Sequence, residues 1–92
     1  MVEILYFAAI KDITQKDKEF LDFDKIQIGD IVHWLIRKYQ PLGKILWDDD
    51  SLSLKRSISI AINHKIIQNK DLLSIELAKG DKIGFIQPVS GG

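Results

Sequence analysis

The sequence predicts an α+β domain in which one main helix packs across one face of a β-sheet. Its 92 residues, 46% of them hydrophobic, are enough for one domain with one core. Residues 28–39 have strong helical periodicity. Short apolar runs separated by turn residues precede and follow this segment. Strands segregated from a single long helix are typical of α+β folds and not of alternating βαβ units.

The first strands of the sheet are predicted near the N-terminus. Residues 2–7 form an apolar, β-branched and aromatic run, which predicts a central strand covered on both faces. Residues 8–13 follow with a pattern that suits one or two helical turns. In residues 19–23, the apolar side chains of Phe20, Leu21 and Phe23 lie between charges. They predict a second strand, hairpinned to the first.

The main helix is predicted by six apolar residues at three- and four-residue spacing: Ile28, Ile31, Val32, Leu35, Ile36 and Tyr39. Asp30 in its first turn and Arg37 and Lys38 in its last turn complement the helix dipole. Pro41 and Gly43 are expected to end the helix.

The remaining strands follow the helix. Residues 57–62 alternate between serine or alanine and isoleucine, which predicts a strand with Ser57 and Ser59 on its solvent side. Asn63 favours a turn, and residues 66–67 suit a short return strand. Residues 79–82 predict another turn before a last strand at 83–86. The predicted order is β, β, α, β, short β, β.

Composition excludes several classes of function. Thirteen basic and thirteen acidic residues cancel, so no global field attracts nucleic acid or an anionic membrane. Without cysteine, the chain cannot form a disulfide, a thiolate metal site or a cysteine nucleophile. The start of the chain carries no cationic leader and its apolar run ends at Lys11, so we expect a cytoplasmic location. No linker divides residues 1–92, which we interpret as a single domain.

Other chemistry-bearing residues favour structural roles. His33 and His64 lie far apart in sequence and lack a metal-ligand spacing, so we predict no metal site. The acidic triplet at residues 48–50 lacks the alternation and glycine of a calcium loop and indicates a solvated turn. Trp34 and Trp47 have no basic stripe around them, which favours packing at the core edge over stacking on bases.

The C-terminal tail, residues 87–92, is the unusual feature. Residues 83–92 hold no charged side chain, and the sequence closes on Gly91 and Gly92. Since glycine lacks a Cβ, such a tip can enter a narrow channel and present its carbonyl carbon to a nucleophile, with Pro88 adding stiffness. An ionised carboxylate is a poor electrophile, so chemistry at Gly92 needs prior activation, for instance by adenylation. An inert tail is the alternative.

Nothing in the sequence suggests that the chain binds a nucleotide itself, because it has neither a Gly-x-Gly-x-x-Gly motif nor a Walker-type loop. We therefore expect no cofactor on this chain and ATP on an activating partner.

Three stretches resemble the MoaD family, the small subunits of molybdopterin synthase. Residues 5–12 (LYFAAIKD) are similar to the opening strand and Phe-Ala-x-x-Arg-Glu turn of the family. Residues 60–63 (IAIN) resemble its Val-Ala-Val-Asn segment. Residues 77–83 (LAKGDKI) and 88–92 (PVSGG) resemble its Leu-x-x-Gly-Asp-x-Val and Pro-Pro-Val-x-Gly-Gly motifs. Gln87 stands in place of the first proline, and residues 41–56 are long and acidic for the family.

The resemblance implies a β-grasp, ubiquitin-like fold, a mixed sheet with one main helix on one face, and a sulfur-carrier function. It implies that an E1-type adenylating enzyme, MoeB-like, activates Gly92, which then becomes a thiocarboxylate. The tail, with Gly91 as the steric allowance and Pro88, Val89 and Ser90 as the guide, would enter a MoaE-like large subunit. There it would donate sulfur to the cyclic pyranopterin precursor. Catalytic side chains would belong to that subunit, and no activity is expected of this chain alone.

The resemblance also implies a docking surface for these partners. Family interface positions map onto Phe7, Ile66 and Ile86, with Phe85 either in the same patch or in the core. Lys11 is an expected contact for the activating enzyme.

Two other functions share a Gly-Gly ending on this fold. Thiamine-pathway sulfur carriers and ubiquitin-like protein modifiers use the same activated terminus. The terminus by itself does not separate these alternatives.

Overall fold

The computed structural model describes residues 1–67 and 71–87 of the chain. The helices in these ranges are α1 (Ala8–Thr14), α2 (Ile28–Lys38), α3 (Leu42–Leu46) and a 3₁₀ helix (Leu72–Ser74). The strands in the same ranges are β1 (Val2–Leu5), β2 (Lys18–Leu21), β3 (Lys25–Gln27), β4 (Trp47–Asp48), β5 (Ser53–Leu54), β6 (Ser59–Ile62), β7 (Lys65–Ile67), β8 (Glu76–Ala78) and β9 (Lys82–Ile86).

Five of these strands form one mixed sheet in the order β2-β1-β9-β6-β7. β1 pairs antiparallel with β2 and parallel with β9, while β6 pairs antiparallel with both β9 and β7. The predicted α+β class and the predicted β1–β2 hairpin are confirmed. The first strand lies inside the sheet, between β2 and β9, as predicted, but the prediction that it is covered on both faces is wrong. The last strand, β9, occupies the centre, and the outward side chains of β1 are only partly buried.

One face of this sheet and the apolar stripe of α2 make the core. Inward side chains alternate along the strands, as in Ile4, Ile60 and Ile83, all with no exposed surface. The buried side of α2 consists of Ile28, Ile31, Val32 and Leu35, each also fully buried. The helix begins at the predicted residue and ends one residue earlier than predicted. Ser57 and Ser59 are exposed, as the alternation predicts.

Several short elements carry no clear sequence signal. β3 pairs antiparallel with β8, and β4 pairs with β5 to close the acidic turn at residues 48–50. In the β3–β8 pair only Ile26 and Leu77 are buried. One buried residue in a three-residue strand is too weak a pattern for periodicity to detect. Trp34 and Trp47 pack against the core and are partly buried, which confirms the core-edge interpretation.

Asn63 joins the β6–β7 turn to the start of β9. Asn63 and His64 have positive φ values of 52° and 70°, a left-handed conformation that asparagine tolerates well. The Asn63 Oδ1 accepts a hydrogen bond from the Lys82 amide at 3.0 Å, and its Nδ2 donates to the Asp81 carboxylate at 3.1 Å. Hydrogen bonds from the Ala78 amide and from Asn63 lower the pKa of Asp81. The two motifs IAIN and LAKGDKI, which resemble the family, therefore meet here. The hydrogen bonds between them hold the β6–β7 turn against the start of β9.

We expect Asn63→Ala to lower the free energy of unfolding by about 1–3 kcal/mol, because it removes two hydrogen bonds and puts alanine at a positive φ. Asn63→Gly, which tolerates this φ, should cost less than Asn63→Ala. Urea unfolding of both variants measures the difference. If both variants lost the same free energy of unfolding, the positive φ at position 63 would not contribute to the difference from the unchanged chain.

Glu19 ties β2 to the C-terminal end of α2. Its Oε1 accepts hydrogen bonds from the Tyr6 hydroxyl at 2.8 Å and from the Tyr39 hydroxyl, and its Oε2 lies 2.7 Å from the Lys38 ammonium. The Lys16 ammonium is 3.4 Å away. Burial acts to raise the pKa of Glu19, but hydrogen bonds from Lys38, Tyr39 and Tyr6 outweigh it and lower the pKa to about 2. Burial and the hydrogen bond to Glu19 raise the pKa of Tyr6.

This cluster predicts a loss of stability in acid. The pKa of Glu19 is about 2 in the folded chain against an ordinary 4.5, so its contribution is complete above pH 4.5 and disappears as the pH falls toward 2. We expect that contribution to be about 3 kcal/mol at most. Urea unfolding between pH 6 and 2 should show a smaller acid-induced loss for Glu19→Gln than for the unchanged chain. Identical pH profiles would contradict this role.

Candidate functional site

The outer face of the main sheet, opposite α2, carries an apolar groove with a volume of about 200 Å³. We call it the outer groove. It is lined by Leu5, Phe7, Ala61, His64, Ile66, Lys82, Gly84 and Ile86. Since side chains alternate across a strand, the residues of β1, β6 and β9 between the core residues form this face.

The outer groove forms because no large side chain fills the centre of the outer face. In the strand register Gly84 pairs with Leu5 on one side and with Ala61 on the other. The Phe7 ring lies over Gly84, so a Cβ at this position would come within 3.0 Å of the ring. A larger residue at position 84 would push Phe7 aside and fill the groove. Gly84 therefore sets both the depth of the groove and the position of Phe7.

The structure brings three of the predicted docking residues together. Phe7 and Ile66 are 46% and 52% exposed, and Ile86 is partly buried, all lining the outer groove. Exposed apolar side chains around a concave site are typical of a surface that a partner covers. Phe7 follows β1, while Ile66 belongs to the edge strand β7. Their proximity depends on the sheet order and not on sequence spacing.

Two other predicted contacts lie elsewhere. Phe85 has no exposed surface and points into the core, so it is not part of the docking patch. Of the two positions left open by the sequence, the core is the correct one, because residue 85 alternates in β9 with the groove residues Gly84 and Ile86. Lys11 lies on α1 outside the groove and forms an ion pair with Asp17 at 2.7 Å. The hydrogen bond from Lys11 lowers the pKa of the Asp17 carboxyl.

Charge borders the groove at the start of β1 and β9. The Lys82 ammonium lies 4.0 Å from the Glu3 carboxylate, which is also 3.9 Å from the Lys18 ammonium. Lys82 and Lys18 are about half exposed, whereas the Glu3 side chain that both approach is 14% exposed. Lys82 and His64 are the polar side chains among the lining residues of the outer groove.

The groove lies beside the strand that leads to the tail. Ile86 is both the last residue of β9 and part of the groove wall. The predicted reactive residue Gly92 and the predicted tail residues Pro88, Val89, Ser90 and Gly91 lie outside the described residues. A partner docked on the outer groove would contact the chain directly before this segment.

Sequence reasoning missed Leu5, Ala61, His64, Lys82 and Gly84 as members of the site. The only available signal was the period-two alternation that puts Gly84 and Ile86 on one face and Phe85 on the other. Nothing in the sequence shows that a parallel β1–β9 pair sets Leu5 beside Gly84.

The other candidate residues do not form a second chemical centre in the described part of the chain. The His33 Nδ1 is 2.7 Å from the Gly29 carbonyl oxygen, and its ring packs 5.4 Å from that of Trp47. Within residues 1–67 and 71–87, no group of three or more His, Cys, Asp or Glu side chains could hold a metal ion. Over the same ranges, no helix is long and apolar enough to span a membrane.

A mixed sheet with one helix across its inner face and an apolar groove on its outer face defines a β-grasp protein of the ubiquitin-like class. The chain belongs to the ThiS family, whose model matches residues 4–92. This match confirms the predicted resemblance at the level of ubiquitin-like sulfur carriers.

Solved structures agree with this assignment. The solution structure of small archaeal modifier protein 1 from Methanosarcina acetivorans matches with a TM-score of 0.81 and 30% identity, covering 99% of this chain and 95% of that one. A chain of the Amycolatopsis orientalis BexX/CysO complex matches with a TM-score of 0.79 and 16% identity, covering 100% of both chains. A putative molybdopterin converting factor subunit 1 from Pyrococcus furiosus matches with a TM-score of 0.66 and 22% identity, covering 96% of this chain and 97% of that one. The last two matches show the fold alone.

Proposed function

We propose that this chain is a sulfur carrier whose Gly92 carboxylate is adenylated and then converted to a thiocarboxylate. The observation that carries the proposal is the ThiS family match, which runs through the Gly91-Gly92 end of the sequence. The outer groove supports it, because a carrier needs a docking surface beside the segment that reacts.

The proposed activation has two steps. A Gly92 carboxylate oxygen attacks the α-phosphorus of ATP and forms a C–O–P bond. The phosphoanhydride bond between the α- and β-phosphates breaks, and pyrophosphate leaves with the electron pair. A sulfide equivalent from a sulfur-donor protein then attacks the carbonyl carbon. A C–S bond forms as the C–O bond to AMP breaks, and AMP departs with the electron pair. Both steps occur on an E1-type enzyme that binds the ATP.

The folded body docks the chain and aims its end. Phe7, Ile66 and Ile86 offer apolar surface to the partner, and β9 fixes the direction in which residue 87 leaves the sheet. Holding a reactive group in one geometry converts a bimolecular step into an effectively unimolecular one. The catalytic side chains then belong to the partner.

For the sulfur acceptor we propose the cyclic pyranopterin precursor, bound in a MoaE-like large subunit. The thiocarboxylate sulfur attacks an acceptor carbon that carries an oxygen substituent. A C–S bond forms as the C–O bond of that carbon breaks, and the oxygen leaves with the electron pair. Water then cleaves the acyl C–S bond, which leaves a thiol on the acceptor and regenerates the Gly92 carboxylate. Two such transfers give the dithiolene of molybdopterin. Support for this acceptor comes from the three stretches that resemble the MoaD family.

A second candidate, a protein modifier, is favoured by the 30% identity with small archaeal modifier protein 1 from Methanosarcina acetivorans. In this function a lysine amine attacks the carbonyl carbon of Gly92 in its adenylate or in a thioester with an enzyme. A C–N isopeptide bond forms as the bond to AMP or to the enzyme sulfur breaks, the AMP or thiolate leaves with the electron pair, and the nitrogen loses a proton. The same activated terminus serves both functions, so they differ in the nucleophile.

Deletion of the gene in its own host separates the candidates. The sulfur-carrier proposal predicts loss of molybdenum-enzyme activity, restored by the full chain and not by a chain without Gly92. If the deletion strain required thiamine and kept normal molybdenum-enzyme activity, the sulfur acceptor would belong to the thiamine pathway and not to molybdopterin synthesis. Loss of protein conjugates with both pathways intact would favour the modifier.

A further inference from the structure

We propose that a second groove, between β5 and the 3₁₀ helix, is an additional contact surface for the E1-type adenylating enzyme that activates Gly92. We infer that it takes a partner segment carrying a carboxylate and an apolar side chain. This inference rests on the proposed function, because that function requires another protein to enclose the tail.

The second groove lies at the end of the sheet from which the tail departs. It has a volume of about 400 Å³, and Ile58 is one of its lining residues. Ser59 pairs with Ile86, so Ile58 lies beside the end of β9. The five residues from 88 to 92 reach at most about 18 Å when fully extended. A protein that encloses Gly92 must therefore approach within that distance of Gln87.

The chemistry of the groove indicates what it binds. Leu52, Leu72 and Leu73 supply accessible apolar surface, while Leu54 and Ile58 are buried beneath it. Lys55, Arg56 and Asp71 are the charged residues of the lining. Lys55 donates a hydrogen bond to the Lys44 carbonyl oxygen and is attracted to the Asp48 carboxylate, both outside the groove, so Arg56 is the main cation for a ligand. Arg56 is exposed, and no carboxylate in residues 1–67 and 71–87 forms an ion pair with it. An acidic segment with an apolar anchor complements this arrangement.

Leu52 is a separate sign that this surface meets a partner. It lines the groove from the β4–β5 turn and is 71% exposed, the highest value among the large hydrophobic residues of the described chain. Its backbone has a φ of +53°, a conformation that disfavours leucine and suits asparagine or glycine. Leu52 therefore offers a partner an apolar side chain that the free chain does not bury.

The test uses the full chain and the E1-type adenylating enzyme of the same organism as the probe. Dissociation constants are measured by calorimetry, and adenylation is followed by ATP–pyrophosphate exchange. Arg56→Glu should raise the Kd about tenfold. Lys79→Glu makes a comparable charge change on an exposed residue at the other end of β9 and should stay within about twofold.

Leu52→Asn distinguishes a contact from a structural role. It should raise the Kd while leaving the Tm unchanged or higher, because asparagine accepts the positive φ. If Arg56→Glu and Leu52→Asn both bound the enzyme with unchanged Kd and were adenylated normally, the second groove would not be a contact surface. The proposed function would remain intact. No acyl-adenylate on the unchanged chain would contradict the proposed function, and this inference with it.

Discussion

Deletion of Gly92 should abolish activation of the chain and leave its fold unchanged. The truncated end sets the reacting carbonyl back by one residue, and misplacement by about 1 Å can cost about 100-fold in rate. We therefore expect adenylation to fall by at least about 100-fold. The measurement is intact-mass spectrometry after incubation with ATP and the adenylating enzyme, with thermal unfolding to compare stability.

The control is Lys79→Ala, which changes an exposed residue outside the tail and the outer groove and keeps both the chain length and the Gly91-Gly92 end. It should be adenylated at a rate close to that of the unchanged chain. An ATP-dependent adenylate on the chain without Gly92 would show that this residue is not the reacting group. A large fall in Tm on deletion would assign the terminus a structural role instead.

Ile66→Glu should disrupt docking on the outer groove. The variant puts a charge where the partner covers apolar surface, and losses at such central positions are commonly 2 kcal/mol or more. We expect the Kd for the large subunit or the activating enzyme to rise by about 30- to 100-fold. Because Ile66 is 52% exposed on an edge strand, stability should change by less than about 1 kcal/mol.

Phe20→Glu is the control for this variant. Phe20 is 55% exposed and belongs to the opposite edge strand, β2, outside the outer groove. Its substitution makes the same change from apolar to acidic and should leave the Kd within about threefold. Equal effects of the two variants would mean that the groove does not define the interface.

The parts of the fold that the sequence predicts are those with a local pattern. The stripe of α2 repeats within the helix itself, and the alternation of residues 57–62 marks β6 with its exposed serines. Both signals come from residues that are close in sequence, because burial on one face imposes a period of 3.6 or 2.

The parts that the sequence did not predict depend on distant pairing. Residues 2–7 are apolar enough for a strand covered on both faces, yet β1 lies between β2 and β9 with its outward side chains only partly buried. The outer groove needs Leu5, Gly84 and Ala61 in one register, and no pattern within a single strand specifies that register. We predicted the docking residues Phe7, Ile66 and Ile86 from a family resemblance. The structures of a family already include the register of its strands.

Some of the residues that resemble known proteins maintain the fold, and others belong to the proposed reactive end. Asn63 and Asp81, within two of the motifs that resemble the MoaD family, hold the β6–β7 turn against β9. These residues identify the fold. The proposed sulfur chemistry depends instead on Gly91 and Gly92 and on the partners proposed to dock on the outer groove.

The most direct test of the central claim is the intact mass of the chain purified from its own host. The account predicts a fraction heavier by the difference between a sulfur and an oxygen atom, with fragmentation placing the sulfur on Gly92. That fraction should disappear from a host that lacks the adenylating enzyme. A terminus found only as a free carboxylate or as an isopeptide to lysine, in cells making active molybdenum enzymes, would contradict the sulfur-carrier function.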